Sequence, residues 1–414
     1  MSALHPRRAA VTGIGVVAPN GTNTDTFWKS TREGMSVLDR ITREGCEHLP
    51  LRVAGQVRAF EPSAAIEERF LVQTDRFTHY AMAAADLALE EARIGRDIVT
   101  DAPFSLGVVT AAGSGGGEFG QRELQQLWGR GSRFVGPYQS IAWFYAASTG
   151  QISIRRGLKG PCSVLAADEA GGLDALAHAA RAVERGTDVM VAGSTEAPLA
   201  PYSMVCQLGY EELSTSDDPA RAYRPFTTGA CGFVPAEGGA MFVVEDAASA
   251  RERGAHVWAT VAGHASTFTG ASCWELSREG LVQAIRGALD EAGCAPEEID
   301  VVFADALGVP EADRAEALAI ADVLGAHGRR VPVTAPKTGI GRGYCAAPVL
   351  DAAAAVLAME HSVIPPTPNV FDIRYDLDLV TSRARAAELR TALILSRGLM
   401  GSNSALVLRH GAAE

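Results

Sequence analysis

Residues Ser163–Ala179, SVLAADEAGGLDALAHA, read as an apolar strand, a tight turn and an Ala/Leu-rich helix. A sharp strand-to-helix turn is a common way to display a nucleophile at a helix N-terminus. No Ser, Cys or Thr occupies this one; Glu169 stands at the turn. The junction therefore has the shape of a catalytic elbow without the atom that would attack.

The same alternation continues outward in both directions. Upstream, AAVTGIGVV reads as a strand, TDTFWKSTREG and TDRFTHYAMAAADLALEEARI as helices, SLGVVTAA as a strand and GQRELQQLW as a helix. Downstream come the strands DVMVAGS, GGAMFVVED and WATVAGHAST, the helix GLVQAIRGALDEAG, the strand IDVVFADAL, the helix RAEALAIADVLG and the strand VPVTAPKT. The chain closes on the strand pair TALILSRGL and SALVLRH. Apolar strands alternating with helices specify an α/β protein whose sheets are covered by helices. Residues 1–250 and 251–414 follow a similar order of elements without evident identity, and no low-complexity linker parts them, so they are expected to pack as one body. The segments AAGSGGGEFG and YEELSTSDDPARAYRPF carry the composition of loops.

Composition narrows the function. A chain of 414 residues with 47% hydrophobic and 21% charged residues is an ordinary globular protein able to bury a large core. A net charge of −12, with no basic run interleaved with aromatics, argues against nucleic acid as a partner. The seven cysteines, Cys46, Cys162, Cys206, Cys231, Cys273, Cys294 and Cys345, never form a C-x-x-C pair and read as reduced thiols without a metal site. No run of about eighteen apolar residues marks a membrane span, and the N-terminus has no apolar core of a signal peptide, so a soluble, cytoplasmic protein is expected. The glycine clusters GSGGG and TGIGRG lack the lysine of a phosphate-binding loop.

Five stretches in order, VTGIGVVAPNG, GPCSVLAADEAGGLDA, RPFTTGACGFVPAEGGAMFVVE, VPVTAPKTGIGRGYCAAP and GLMGSNSALVLR, resemble the β-ketoacyl synthases, condensing enzymes of the thiolase-like fold. YQSIAWFYAASTGQISIRRGLKGPCS and VVFADALGVPEAD bring the likeness closest to the chain length factors, the β subunits of type II polyketide ketosynthase heterodimers. The resemblance implies a five-layered αβαβα body of two related halves. Active members carry a nucleophilic Cys at the elbow, two His and a Lys. Matched position by position, Glu169 stands for the Cys, Asp305 for the first His, Arg342 for the second, and Lys337 alone is retained. A carboxylate cannot carry an acyl chain as a thioester, an ionised Asp repels an oxyanion, and a guanidinium is a poor proton shuttle.

Chain length factors commonly carry Gln at the elbow, so Glu169 departs from that pattern as well. Three readings of it stand: a structural carboxylate at a helix N-terminus, a salt-bridge partner of Arg342 or Lys337, and a residual base for priming by malonyl decarboxylation. If the four positions converge, they form a buried acid/base quartet of balanced charge. A silent subunit of this kind is expected to pair with a catalytic ketosynthase α subunit, to meet an acyl carrier protein bearing the phosphopantetheine-bound polyketide, and to set chain length sterically. A purely structural partner is the bland alternative. No metal or organic cofactor of its own is implied.

The resemblance places the length gates at Gly117, Gly120 and Leu124, where octaketide factors have an aromatic, a Thr and an aromatic. Three smaller residues along one helical face imply a roomier tunnel and a product longer than an octaketide; a plain Gly-rich loop is the competing reading. Phe119 beside them could refill the space. Trp143, Phe144 and Tyr145 read as packing aromatics, and His178 and His264 as satisfied core histidines. RERG and SRAR are candidate basic patches.

Overall fold

The computed structural model describes residues 7–270 and 273–411, apart from the side chains of residues 275 and 276. Eleven strands build the main sheet: β1 (Ala9–Val17), β2 (Leu106–Ala111), β3 (Cys162–Leu165), β4 (Val189–Glu196), β5 (Gly238–Asp246), β6 (Ala259–Phe268), β7 (Val301–Phe303), β8 (Pro332–Thr334), β9 (Asp378–Leu379), β10 (Thr391–Arg397) and β11 (Ser402–His410). Their order is β3-β2-β4-β5-β1-β6-β11-β10-β7-β8-β9. The middle of this row is its weak seam, because β1 and β6 meet only through Ala10 opposite Thr260 and Val11 opposite Ala259.

Read outward from that seam, the two sides repeat. Beginning with β1 or with β6, each half pairs its first strand antiparallel to its last, the last antiparallel to the one before it, and then adds two parallel strands, the second half carrying β9 as a third. The repeat extends to side chains. In the first half, helix α1 (Arg76–Glu91) packs on β1 so closely that a Cβ at Gly13 would lie 2.0 Å from the Ala88 carbonyl oxygen. In the second half, the long helix 274–292 repeats this, with a Cβ at Gly263 falling 2.3 Å from the Ala288 carbonyl oxygen. Glu91 accepts the Ile14 N–H at 2.5 Å, and Glu291 accepts the His264 N–H at 2.5 Å.

The remaining helices complete five layers. Chief among them are α2 (Gly117–Arg130), α3 (Gly171–Glu184), α4 (Pro201–Gln207), α5 (Trp274–Ala292), α6 (Pro310–Leu324) and α7 (Ala346–His361). Helices α1 and 147–156 cover one outer face, α5 and α6 the other, and α3 with α7 fill the space between the halves. The Ala-rich α7 is buried throughout Ala346–Met359, as expected of a helix that must meet apolar sheet on both sides. One core cluster joins Val109 and Phe242 of the first half, Leu176 and Val349 of the central helices, and Phe303 and Ile394 of the second half. The expected layers are present, but the two sheets share an edge instead of standing apart.

Two sequence expectations meet their outcome here. The Gly-rich stretch is a loop only as far as Gly116; from Gly117 it is helix. Trp143, Phe144 and Tyr145 are not core: they are exposed by 50%, 40% and 38%, and lean on one another along the surface. Among the described residues no helix is long and apolar enough to cross a membrane.

Candidate active site of a degenerate elbow

Strand β3 ends at Leu165, and α3 begins at Gly171, so the elbow occupies residues 166–170. Asp168 makes the bend with φ +48°, a left-handed conformation that Asp tolerates better than most residues. Its Oδ2 accepts the Met400 N–H at 3.0 Å and the Ser402 hydroxyl at 2.9 Å. The turn after β10 can come this close because residue 398 is glycine; a Cβ there would lie 2.0 Å from Asp168 Oδ2. Ala306 and Tyr344, beside Asp305 and Arg342, also have positive φ, at +52° and +50°. Left-handed non-glycine residues gathered at one place mark an over-determined site.

The four positions singled out in the sequence do converge, though not as a quartet. Asp305 Oδ1 accepts from Arg342 Nη1 at 2.7 Å. Glu169 Oε2 lies 3.7 Å from Arg342 Nη2. Lys337 turns away from Glu169: its Nζ donates to the Asp305 carbonyl at 3.1 Å and forms a 2.5 Å ion pair with Asp351 Oδ2 on α7. Arg397 at the end of β10 reaches Asp305 Oδ2 and Glu316 Oε2, each at 3.2 Å. Glu316 on α6 in turn accepts the Asp305 and Ala306 amides at 2.7 and 2.9 Å. The expected quartet is a network of four acids and three bases, in which every carboxylate except Glu169 has a close cationic partner.

The charge balance depends on Glu169 and Glu316. Burial raises the Glu169 carboxyl to about 8 against the pull of Arg342, so at neutral pH it holds a proton; burial also raises Glu316 against the pull of Arg397. Burial also pushes Asp305 up, but Arg342, Arg397 and Lys337 together hold it below the usual carboxylate range. Burial raises Asp351 to about 6 despite Lys337. Nor is Glu169 a capping carboxylate, as one sequence reading had it. Its Oε2 accepts the Leu399 N–H at 3.0 Å, whereas the first α3 amide, Gly171, bonds to the Asp168 carbonyl.

Arg397, Glu316 and Asp351 were not singled out in the sequence. Asp351 carried the clearest signal, a lone acid within AAPVLDAAAAVL, because an acid in a buried helix requires a partner. Arg397 in ILSRGL is a cation closing an apolar strand and could have been noticed on the same ground.

Beside this network lies a cavity of about 430 Å³, walled by Glu169, Gly117, Ser203, Gln207, Tyr210 and Tyr344 among others. That size falls within the range of small-molecule sites. Gly117 is on its wall, where a Cβ would lie 2.0 Å from Ser203 Oγ of α4. Gly120 and Leu124 are not. Gly120 is buried and faces Trp143, whose Cβ would be 3.6 Å from a side chain there, and Leu124 is 37% exposed. Phe119 is buried, with Arg122 lying over its ring, and does not refill the cavity. His264 is satisfied in polar rather than apolar surroundings, through Asp174 at 2.9 Å and Ser404 at 3.0 Å. The basic patches dissolve in part, since Arg253 pairs with Glu245 and Arg385 with Asp378. Among the described residues no group of three or more His, Cys, Asp and Glu side chains is placed to hold a metal ion.

A duplicated body whose elbow meets the turn after β10 is the arrangement that the resemblance to condensing enzymes implied. The family signatures for the beta-ketoacyl synthase N-terminal and C-terminal domains match residues 7–250 and 258–371. The chain belongs to the β-ketoacyl synthase family. It is 75% identical over 411 residues to a Streptomyces cyaneus protein named polyketide beta-ketoacyl synthase 2, covering 99% of this chain and 98% of that protein. It is 50% identical to the tetracenomycin polyketide synthase ketoacyl synthase beta subunit of Streptomyces glaucescens, covering 98% and 99%. Among solved structures it resembles the ishigamide ketosynthase/chain length factor, with a TM-score of 0.88, 28% identity and coverage of 98% and 100%.

Proposed function

We propose that this chain is the non-catalytic, chain-length-determining subunit of a type II polyketide ketosynthase heterodimer. The observation that carries the reading is the occupation of the old catalytic centre. Glu169 stands at the nucleophile position, and the two His positions hold Asp305 and Arg342, locked to each other at 2.7 Å. Glu169 cannot carry an acyl chain as a stable thioester, and Asp305 and Arg342, paired with each other, cannot relay a proton as two His would.

The surface supports a partner. Strand β3 ends the sheet with its outer edge unpaired and Cys162 exposed, and an open edge of this kind calls for cover. Trp128, Trp143, Phe144 and Tyr145 add exposed aromatic surface alongside, the composition of a protein interface. In this reading the catalytic ketosynthase covers that surface and supplies most of the docking face for the acyl carrier protein. Gly120 lies against Trp143, and in this reading it and Leu124 face the partner, where small side chains leave its tunnel long. The product is then longer than an octaketide.

The test is co-expression with a ketosynthase partner and mass measurement of the released polyketide. Gly120→Phe, whose Cβ has ordinary room, is expected to shorten the product by at least one two-carbon unit. An unchanged product spectrum refutes the chain-length role and leaves a structural partner. Release of CO2 from malonyl carrier protein by the complex, lost in Glu169→Ala, would instead establish decarboxylative priming.

A further inference from the structure

Glu169 is 4% exposed and sits on the wall of the 430 Å³ cavity. Its Oε2 is committed, accepting the Leu399 N–H and facing Arg342. Its Oε1 has no hydrogen-bond partner among the described residues. With Oε2 already an acceptor beside a cation, the proton this carboxyl holds at neutral pH resides on Oε1, which makes Oε1 a donor. A buried donor left without an acceptor is unfavourable, so an acceptor entering the cavity would be bound to advantage.

The chemistry of that acceptor follows from the wall. Asp168 and Glu169 are the charged residues lining the cavity, and no Lys, Arg or His is among the described lining residues. Arg342, behind Glu169, is taken up by Asp305 and by the Arg397 carbonyl. An anion such as a malonyl carboxylate would meet two acids and no free cation. A neutral carbonyl meets an O–H. Ala112, Ala166 and Pro198 give part of the wall an apolar surface for a chain, Ser203, Gln207, Tyr210 and Tyr344 add neutral polar groups, and Gly117 has no side chain there.

The geometry points to a binding site in this chain's own cavity for a neutral, ketone-bearing acyl segment, with Glu169 Oε1–H donating to its carbonyl. That the segment is the far end of a poly-β-keto chain rests on the role proposed above; the site itself does not.

The experiment is calorimetric titration of the chain, purified in complex with its co-expressed ketosynthase, with two probes. N-butylacetoacetamide is a neutral β-ketoamide that cannot acylate a thiol, and N-butylmalonamate is its anionic counterpart. At pH 6.5 the neutral probe is expected to bind, and Glu169→Ala to weaken it about tenfold, the equivalent of ~1.4 kcal/mol. Glu169→Gln keeps a donor and is expected to retain the affinity.

Around Glu169 stand Arg342, Asp305, Asp168, Tyr210, Tyr344 and Cys345. Asp305 is held low, while Arg342, Tyr210, Tyr344 and Cys345 are pushed up, away from neutral pH. Since Glu169 loses its proton at about 8, raising the pH to 9 is expected to weaken the parent about tenfold and to leave Glu169→Gln unaffected. Equal binding by parent and Glu169→Ala, an identical pH profile in Glu169→Gln, or binding of the malonamate that depends on Glu169 would each overturn the site. If Glu169→Ala does not fold, the Glu169→Gln pH comparison decides alone. Product masses from the same complexes are read separately, so the length role can fail without the site and the site without the length role.

Discussion

Glu169 is a buried acid whose folded-state carboxyl is raised to about 8 from an ordinary 4.5, chiefly by burial. The native state thus keeps a proton that the unfolded chain gives up, and linkage fixes the sign. The neutral form's contribution is complete below about 4.5 and is lost as pH rises toward 8. Glu169→Gln preserves the shape and removes the titration. It is expected to gain on the parent between pH 5 and 8, by a few kcal/mol at the top of that window, and to run parallel above it. Thermal melts of both complexes across pH 5–9 check this; parallel curves throughout would contradict the assignment. The identity of this residue was readable from the elbow, whereas the matching of Glu169, Asp305 and Arg342 to a nucleophile and two His came through family likeness alone. The proton and the pairing of Glu169 were readable from neither. They depend on Leu399 and Arg342, which lie 230 and 173 positions away in sequence.

Among the elements, strands and helices were the most readable part, because period and punctuation are local properties. RFTHYAMAAADLALEE and SVLAADEAGGLDALAHA announce themselves by spacing alone. Helix α2 did not, since its opening GEFG is as good a loop as a helix start, and only packing against α4 decides. The aromatic triplet was read as core or interface packing, and its exposure excludes only the core, because a sequence does not distinguish rings buried in a core from rings awaiting another chain. The duplicated strand–helix contact yields a paired prediction. Gly13→Ala and Gly263→Ala each drive a methyl against a helix carbonyl oxygen, at 2.0 and 2.3 Å. Each is expected to destabilise the protein by roughly 1–3 kcal/mol, the usual range for overpacking. Chemical denaturation measures both, and a neutral result for either would mean that helix and strand can separate there without cost.

At the scale of the whole molecule, the open β3 edge and the exposed aromatics argue that the chain is completed by another. Phe144→Glu is expected to abolish co-elution with the ketosynthase while leaving the far-ultraviolet circular dichroism of the chain unchanged, because the ring is surface and not core. Retained co-elution would move the interface elsewhere. The sequence carried this expectation through family likeness, not through any local pattern, and the acidic charge of −12 did not locate it.

Helices α3 and α7 have sheet on either side, and that closes an evolutionary door. A half released on its own, by truncation or by a break in the gene, would lay bare one complete apolar flank. Neither half of the repeat can keep its core covered without the other. Random insertion libraries should accordingly recover tolerated splits in peripheral loops and none at the seam between β1 and β6.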